Sequence, residues 1–279
     1  VKKVKHQTAR VHWRMGQSLL PEHFYAQEES LREELALRLR LGPLPGWGIA
    51  GLEWDPVQLA NGEIVLRELT LVLPSGALVD IPGNAGGAAF SLSKVEAARV
   101  SLYLHLDSDY DVVFRGDGAA DEDAVERIEQ RLSLSTSPLS ESALPPFKLA
   151  ELEKSVTGVW SLSSGYIPPL VRVTGSPFFE ELLGRIRAVV AGAERVLMEE
   201  VKQNYLAGQR LAGAKDAMKH VFRVRNLLAN LGHDYHPHPF EVFRLLHELY
   251  VELCVLREVH AAEVERRYQH EDLAETFHG

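Results

Sequence analysis

The residue pattern predicts an α+β protein in which an N-terminal antiparallel β-sandwich is followed by an antiparallel α-helical bundle. Between Trp47 and Leu162 apolar residues alternate with a period of two, and turn residues separate the runs. After Ser176 the apolar spacing changes to threes and fours, the period of a helix. A run of breakers, Pro168-Pro169 and then Gly175-Ser176-Pro177, stands between the two regimes and divides the chain into residues 1–175 and 176–279.

A chain of 279 residues suffices for one large or two ordinary domains. With 46% hydrophobic and 25% charged residues it has the make-up of a folded globular protein. The net charge of −9 argues against nucleic acid as a partner, because phosphate binding needs a clustered basic face. Lys2, Lys3, Lys5, Arg10 and Arg14 form the only basic cluster and read as a solvated chain end. Cys254 is the sole cysteine, so no disulfide can form within the chain, and its apolar neighbours suit a buried thiol. Apolar runs fall short of a bilayer-spanning length and no secretory pattern opens the sequence, which sets the expectation of a cytoplasmic protein without membrane insertion.

Taken in order, Val11 to Leu31 is a leader whose residue choices look specific: Trp13, Gly16, Leu20, Pro21, His23 and Phe24 fall within a dozen positions. Trp13, Pro21 and Phe24 are expected to anchor this leader to the β region. Leu31, Leu35 and Leu39 recur every four residues and predict a short helix over 28–41, stopped by Gly42, Pro43, Pro45 and Gly46. Strands follow around Ile64–Leu66, Leu69–Leu73, Val100–Leu106, Leu132–Ser135, Leu144–Leu149, Thr157–Leu162 and Leu170–Val173, with Asn61-Gly62 and Ser75-Gly76 as turns. Ser176 is placed to cap a helix whose first position is Pro177. Three apolar stripes then predict three helices: Leu182, Ile186, Val189, Ala193, Val196; Ala217, Val221, Val224, Leu228, Leu231; and Val242, Leu246, Leu249, Leu253, Leu256. Gly208 and Gly213 fall between the first two, and Asp272 to His278 starts a fourth helix.

No pattern of catalytic chemistry is complete. His233, His236 and His238 cluster in a proline-rich connector but lack the cysteines or the i, i+4 histidine pair of a zinc site, so a loop is expected; a metal-dependent hydrolase centred on His236 is the enzymatic alternative. Asp107, Asp109 and Asp111 open like a calcium loop, yet Val112 and Gly118 stand where glycine and glutamate are required, leaving a solvated turn followed by an acidic loop over 117–123. Gly83 to Gly87 lacks the lysine of a phosphate-binding loop, and His247-Glu248 lacks a second histidine. The sequence therefore predicts no catalytic residues, no cofactor and no metal. A carbohydrate-binding β-sandwich on a helical stalk, with Trp47, Trp54 and Trp160 lining a cleft, is the other non-enzymatic reading.

Four ordered motifs carry a family resemblance. Trp13-x-x-Gly16 with Leu20-Pro21-Glu22-His23-Phe24, then Tyr166-Ile167-Pro168-Pro169-Leu170, then His238-Pro239-Phe240-Glu241-Val242-Phe243, then Tyr268-x-His270-x-Asp272-Leu273-x-x-x-Phe277 resemble the TssK (ImpJ/VasE) family of type VI secretion baseplate subunits. The resemblance implies a non-enzymatic homotrimer. It also implies a β domain like the shoulder of phage receptor-binding proteins, docking on a TssF/TssG wedge, and a helical neck. The family's C-terminal head, expected beyond Gly279, would bind TssL and TssM of the membrane complex, placing the protein in the bacterial cytoplasm at the inner-membrane-associated baseplate.

Overall fold

The computed structural model describes residues 8–114, 126–139, 145–202, 209–232, 234–258 and 265–278. Among these residues, nine strands and a short helix occupy the first part after an opening helix, and longer helices occupy the second, giving an α+β protein.

Helix α1 spans Pro21–Arg40, starting at Pro21 rather than Glu28 as the leucine spacing predicts. Pro21 supplies the helical φ at the first position, where its missing N–H costs nothing. The first two leucines of the repeat face solvent: Leu31 and Leu35 are 54% and 59% exposed, whereas Ser30 and Ala36 are buried. At 100° per residue, Phe24, Leu31 and Leu35 share an arc of about 40°, with Ser30 and Ala36 on the far side. Small residues win the inner face because the body comes so close there. A Cβ on Gly76, where φ is +90°, would lie 2.5 Å from the Cβ of Ala36. Arg40 donates to the Ser75 carbonyl at 2.9 Å beside it.

Strands β1 (Gly48–Glu53), β3 (Glu68–Val72) and β4 (Leu78–Ile81) make an antiparallel sheet in the order β1-β3-β4, and the Ser75-Gly76 turn joins β3 to β4 as expected. Asn61-Gly62 has another role. It ends the unforeseen helix α2 (Pro56–Ala60), whose first amides bond the Asp55 carboxylate. Strand β2 (Glu63–Leu66) pairs with β5 (Ala88–Ser91). The largest sheet has the order β7-β6-β8-β9, with β6 at Arg99–Phe114, β7 at Glu126–Ser135, β8 at Phe147–Lys154 and β9 at Trp160–Leu162. Asp107, Asp109 and Asp111 belong to β6 and not to a turn. Arg131 on β7 bonds Asp111 at 2.5 Å, which supplies the countercharge a strand needs, and a register irregularity between Leu106 and Tyr110 accommodates the run. The acidic stretch 117–123 lies outside the described residues. Leu170 makes an isolated parallel bridge to Ile49, not a strand.

After a turn of 3-10 helix at Pro177–Phe179, helices α3 (Glu180–Lys202), α4 (Gln209–Asn230) and α5 (Pro239–Leu256) pack side by side. Gly213 lies inside α4, where a Cβ would touch Leu256 at 3.4 Å; there it allows close approach instead of marking a break. Gly213 near the start of α4 lies by Leu256 at the end of α5, while His220 further along α4 lies between Glu248 and Glu252, so α4 and α5 run antiparallel; Glu200 meets Arg257 at 3.1 Å where the C-terminal ends of α3 and α5 come together. The stripes of α4 and α5 hold. That of α3 moves by one residue in its second half, to Val190 and Leu197, leaving Val189 71% exposed, because 3.6 residues per turn drifts off a fixed three-four repeat. Ser176 is buried but caps no amide, contrary to expectation. Helix α6 (Leu273–His278) ends the described chain. One continuous hydrophobic cluster links strand and helix residues, from Ile49 and Leu102 through Phe179 to Val221 and Leu273.

Two substitutions test the docking of α1. Leu35→Gln should change stability by less than about 0.5 kcal/mol. Gly76→Ala should cost about 1–3 kcal/mol through its positive φ and the clash with Ala36. Urea unfolding of both variants distinguishes the two faces.

Candidate functional site: the seam between strands and helices

The motif residues assemble in two places. In the leader, Gly16 takes φ +77° in open space and turns the chain back, and Gln17 N–H bonds the Arg14 carbonyl at 3.1 Å. That return lays Trp13 edge-on to His23 at 5.8 Å and beside Phe24 at 5.7 Å. His23 accepts from the Leu20 amide, fastening the start of α1. Trp13 is 39% and Phe24 52% exposed. The leader therefore folds on its own helix, and its motif residues do not anchor it to the β region. An indole can bury one face against two rings only one turn away, which needs no sheet.

The second place is the junction of the strand and helix regions. His238 is the N-cap of α5, preceding Pro239 at the first helical position. Its Nδ1 accepts from the Phe240 amide at 3.1 Å, and its Nε2 donates to the Pro45 carbonyl at 3.1 Å. His270 repeats the arrangement: Nδ1 accepts from the Tyr268 hydroxyl at 2.8 Å and Nε2 donates to the Trp47 carbonyl at 2.7 Å. The rings stack at 5.3 Å, 18° from parallel, and Trp47 meets His270 edge-on at 4.9 Å. Two histidines distant in sequence thus hold the main chain on either side of Gly46, the segment leading from α1 to β1.

At His238 an amide donor faces Nδ1 and a carbonyl faces Nε2, which fixes the neutral tautomer with the proton on Nε2; His270 takes the same tautomer when the Tyr268 hydroxyl donates to its Nδ1. Burial and the neighbouring His270 ring push the His238 pKa down to about 4. Burial lowers that of His270 as well, against the Trp47 carbonyl, which favours the proton. Burial also raises Tyr268, keeping its hydroxyl a donor.

Around the histidines Phe240 and Phe243 pack on Tyr268, and Phe277 meets Phe179 edge-on at 5.1 Å. Asp272 accepts from the Glu275 amide at 3.1 Å and caps α6, whose Leu273 amide bonds the Ile167 carbonyl at 3.3 Å. Pro169 offers its carbonyl to Ile49 N–H at 2.8 Å, and Val173 N–H bonds Pro237 O at 3.0 Å. Pro168, lying between those bonded residues, is buried. The sequence motifs take in Pro168, Pro169, His238, Pro239, Phe240, Phe243, Tyr268, His270, Asp272 and Phe277 but miss Pro45, Trp47, Gly48 and Phe179. A backbone acceptor leaves no signature in a sequence.

The other candidates disperse. His236 bonds Thr174 Oγ1 at 2.7 Å, and His233 lies outside the described residues. Among the described residues no three His, Cys, Asp or Glu groups converge for a metal ion, and no helix is long and apolar enough to cross a membrane. Trp54 and Trp160 are core residues and Trp47 packs against the core, and Trp47 and Trp54 border different depressions, so the three tryptophans do not line one cleft together.

Strand and helix parts fastened through backbone-directed histidines around one continuous core make this an α+β class of protein. Comparison with known sequences gives that class its family. The sequence matches the family described as Bacterial Type VI secretion, VC_A0110, EvfL, ImpJ, VasE over residues 23–115 and 111–279; the chain belongs to this family, that of TssK. It is 26% identical over 310 aligned positions to the type VI secretion system baseplate component TssK1 of Pseudomonas aeruginosa, covering 96% of this chain and 66% of that protein. Among solved structures, one chain of a TssK-TssF-TssG baseplate subcomplex superposes with a TM-score of 0.77 at 20% identity, over 96% of this chain and 95% of that one. A crystal structure of TssK gives 0.74 at 18% identity, over 97% and 67%.

Two predictions concern the seam. Both histidines bind protons less readily when folded than the ordinary imidazole value of about 6.5, so the unfolded chain takes up protons first as pH falls. Their contribution is fully present above about pH 6.5 and declines down to about pH 4 for His238, by at most about 1.4 kcal/mol per pH unit per ring. Urea unfolding between pH 7 and 5.5 should show this slope, and His238→Asn, which keeps a cap acceptor, should flatten it. Gly48 has φ +123°, and a Cβ there would lie 2.5 Å from the Pro169 oxygen. Gly48→Ala should therefore destabilise by at least about 2 kcal/mol in the same assay.

Proposed function

We propose that this chain is a non-enzymatic structural adaptor of the type VI secretion baseplate. It acts as a homotrimer whose strand region, a β-sandwich shoulder over residues 1–175, docks on a TssF/TssG wedge, and whose helices over 176–279 form a bundled neck. In this reading the link to TssL and TssM is assigned to the family's C-terminal head, and the assembly sits on the cytoplasmic side of the inner membrane.

The observation that carries the reading is the fold shared over 96% of the chain with a component of a TssK-TssF-TssG subcomplex. The surface adds support. Leu20, Phe24, Leu31 and Leu35 are all more than half exposed on the leader and α1, and a contiguous apolar stripe of this kind marks assembly contacts. The ion pairs Glu28–Arg32 and Glu34–Arg38 neutralise the flanking charges within the helix itself.

Light scattering of the purified chain should give three times its 31.2 kDa mass, and mixing with a TssF–TssG complex should give a larger stoichiometric species. A monomer that ignores the wedge proteins overturns the proposal.

A further inference from the structure

The outward face of α1 has the spacing of a helix seam. Phe24, Leu31 and Leu35 are each more than half exposed. At 100° per residue Glu28 and Arg38, both exposed, lie about 40° to either side of Phe24. Phe24, Glu28, Leu31, Leu35 and Arg38 thus follow one another at intervals of four and three, the repeat of a two-helix coiled coil, with Phe24, Leu31 and Arg38 on one side of the seam and Glu28 and Leu35 on the other.

A second copy of the chain completes this seam in one direction. When two α1 helices run antiparallel about a two-fold axis at Glu33, Leu31 of each copy comes level with Leu35 of the other, giving two apolar layers at the centre. The same register, with no further adjustment, brings Glu28 level with Arg38 of the other copy on both sides of those layers, and Phe24 level with Gly42 at both ends. Gly42 borders an apolar hollow of about 430 Å³ between the end of α1 and the strands, lined by Leu39, Pro43, Trp47 and Leu73. The phenylalanine ring of one copy therefore arrives at the hollow of the other. Parallel pairing sets Glu28 against Glu28 and Arg38 against Arg38, which repel, and brings no ring to the hollow. Within the helix Glu28 already accepts from Arg32 and Arg38 donates to Glu34, each at 2.5 Å. A carboxylate has a second oxygen and a guanidinium further N–H groups, so antiparallel pairing extends these ion pairs across the contact without breaking them.

We propose that α1 is a self-association surface on which two copies of this chain pair antiparallel, Leu31 on Leu35, Glu28 on Arg38 and Phe24 over Gly42. The charge order and the hollow carry this assignment, independently of the adaptor reading. A two-fold contact does not close a threefold ring, so in a trimeric protein it joins chains of different trimers. A seam with two apolar layers belongs among the weak interfaces, below about 1,200 Å² of total buried surface, and fills only as concentration rises.

Sedimentation equilibrium of the full chain at increasing concentration should show a mass that grows beyond the unit present at dilution. E28R/R32E and E34R/R38E each preserve the net charge and the ion pairs within the helix, but each sets like charges level with one another between copies. Either variant alone should associate about tenfold more weakly than the parent, and an equimolar mixture of the two, in which opposite charges meet again, should regain the parent's association. Direction is read by oxidation: L31C mixed with L35C should give more disulfide-linked pair than L31C alone, Cys254 being buried. All six positions lie on α1 and Leu31 and Leu35 are exposed, so the fold tolerates the changes. Mass independent of concentration, double variants that associate as the parent does, a mixture no tighter than its components, or L31C linking to itself as readily as to L35C each overturns the pairing. Wedge proteins are absent from these measurements. A chain that pairs but ignores TssF–TssG therefore sinks the adaptor reading alone, and one that binds the wedge without pairing sinks only this inference.

Discussion

Two neutral imidazoles reaching backbone carbonyls on either side of Gly46 set how the two parts of this molecule meet. The contact at His238 allows no alternative protonation, because the Phe240 amide cannot turn away: a second ring proton would put N–H against N–H. The contact at His270 is less rigid at Nδ1, where a tyrosine hydroxyl can rotate, but its Nε2 bond to Trp47 is the shorter of the two, at 2.7 Å against 3.1 Å. Stacked together and largely withdrawn from water, the rings make the seam an interaction that works only in the uncharged state.

Other pairings follow from that grip. With residues 45 and 47 fixed, β1 begins where Gly48 passes against Pro169, and the bonds between Ile49, Pro169 and Val171 carry the connecting segment along β1. From there Val173 ties to Pro237, the residue before the histidine that started the sequence of contacts. The circuit closes on itself through main-chain atoms. It also explains why the core continues from strands to helices: Phe179, fully buried, meets Phe277 of α6, whose first amide bonds Ile167. Strand and helix regions joined in this way have no apolar layer of their own to part along.

Period alone located most of the strands and three long helices, because a half-buried strand and a packed helix each impose their own repeat on apolar residues. It could not reveal what those residues face. In α1 Leu31 and Leu35 keep a helical repeat and yet point outward, while Ser30 and Ala36 are buried, Ala36 being small enough to lie against Gly76. The seam was half visible. Its histidines, prolines and Asp272 stood out as motifs, but their partners are carbonyl groups of Pro45 and Trp47, and every residue carries one. Helix α2 escaped because Asn61-Gly62 reads equally well as a hairpin turn; Asp55, whose carboxylate caps the helix, was the deciding residue.

The misread positions share a physical cause that bears on function. A leucine repeat left in water and a serine with its hydroxyl unused are choices that folding of this chain does not require. The seam shows the contrary pattern, with every polar atom of both imidazoles satisfied by the chain itself. Self-sufficient groups mark where the protein holds its own shape, and unsatisfied ones mark where it has been left to meet something else. By that criterion the histidine motifs are internal to the fold, and the exposed α1 stripe is the surface left over for the proposed assembly.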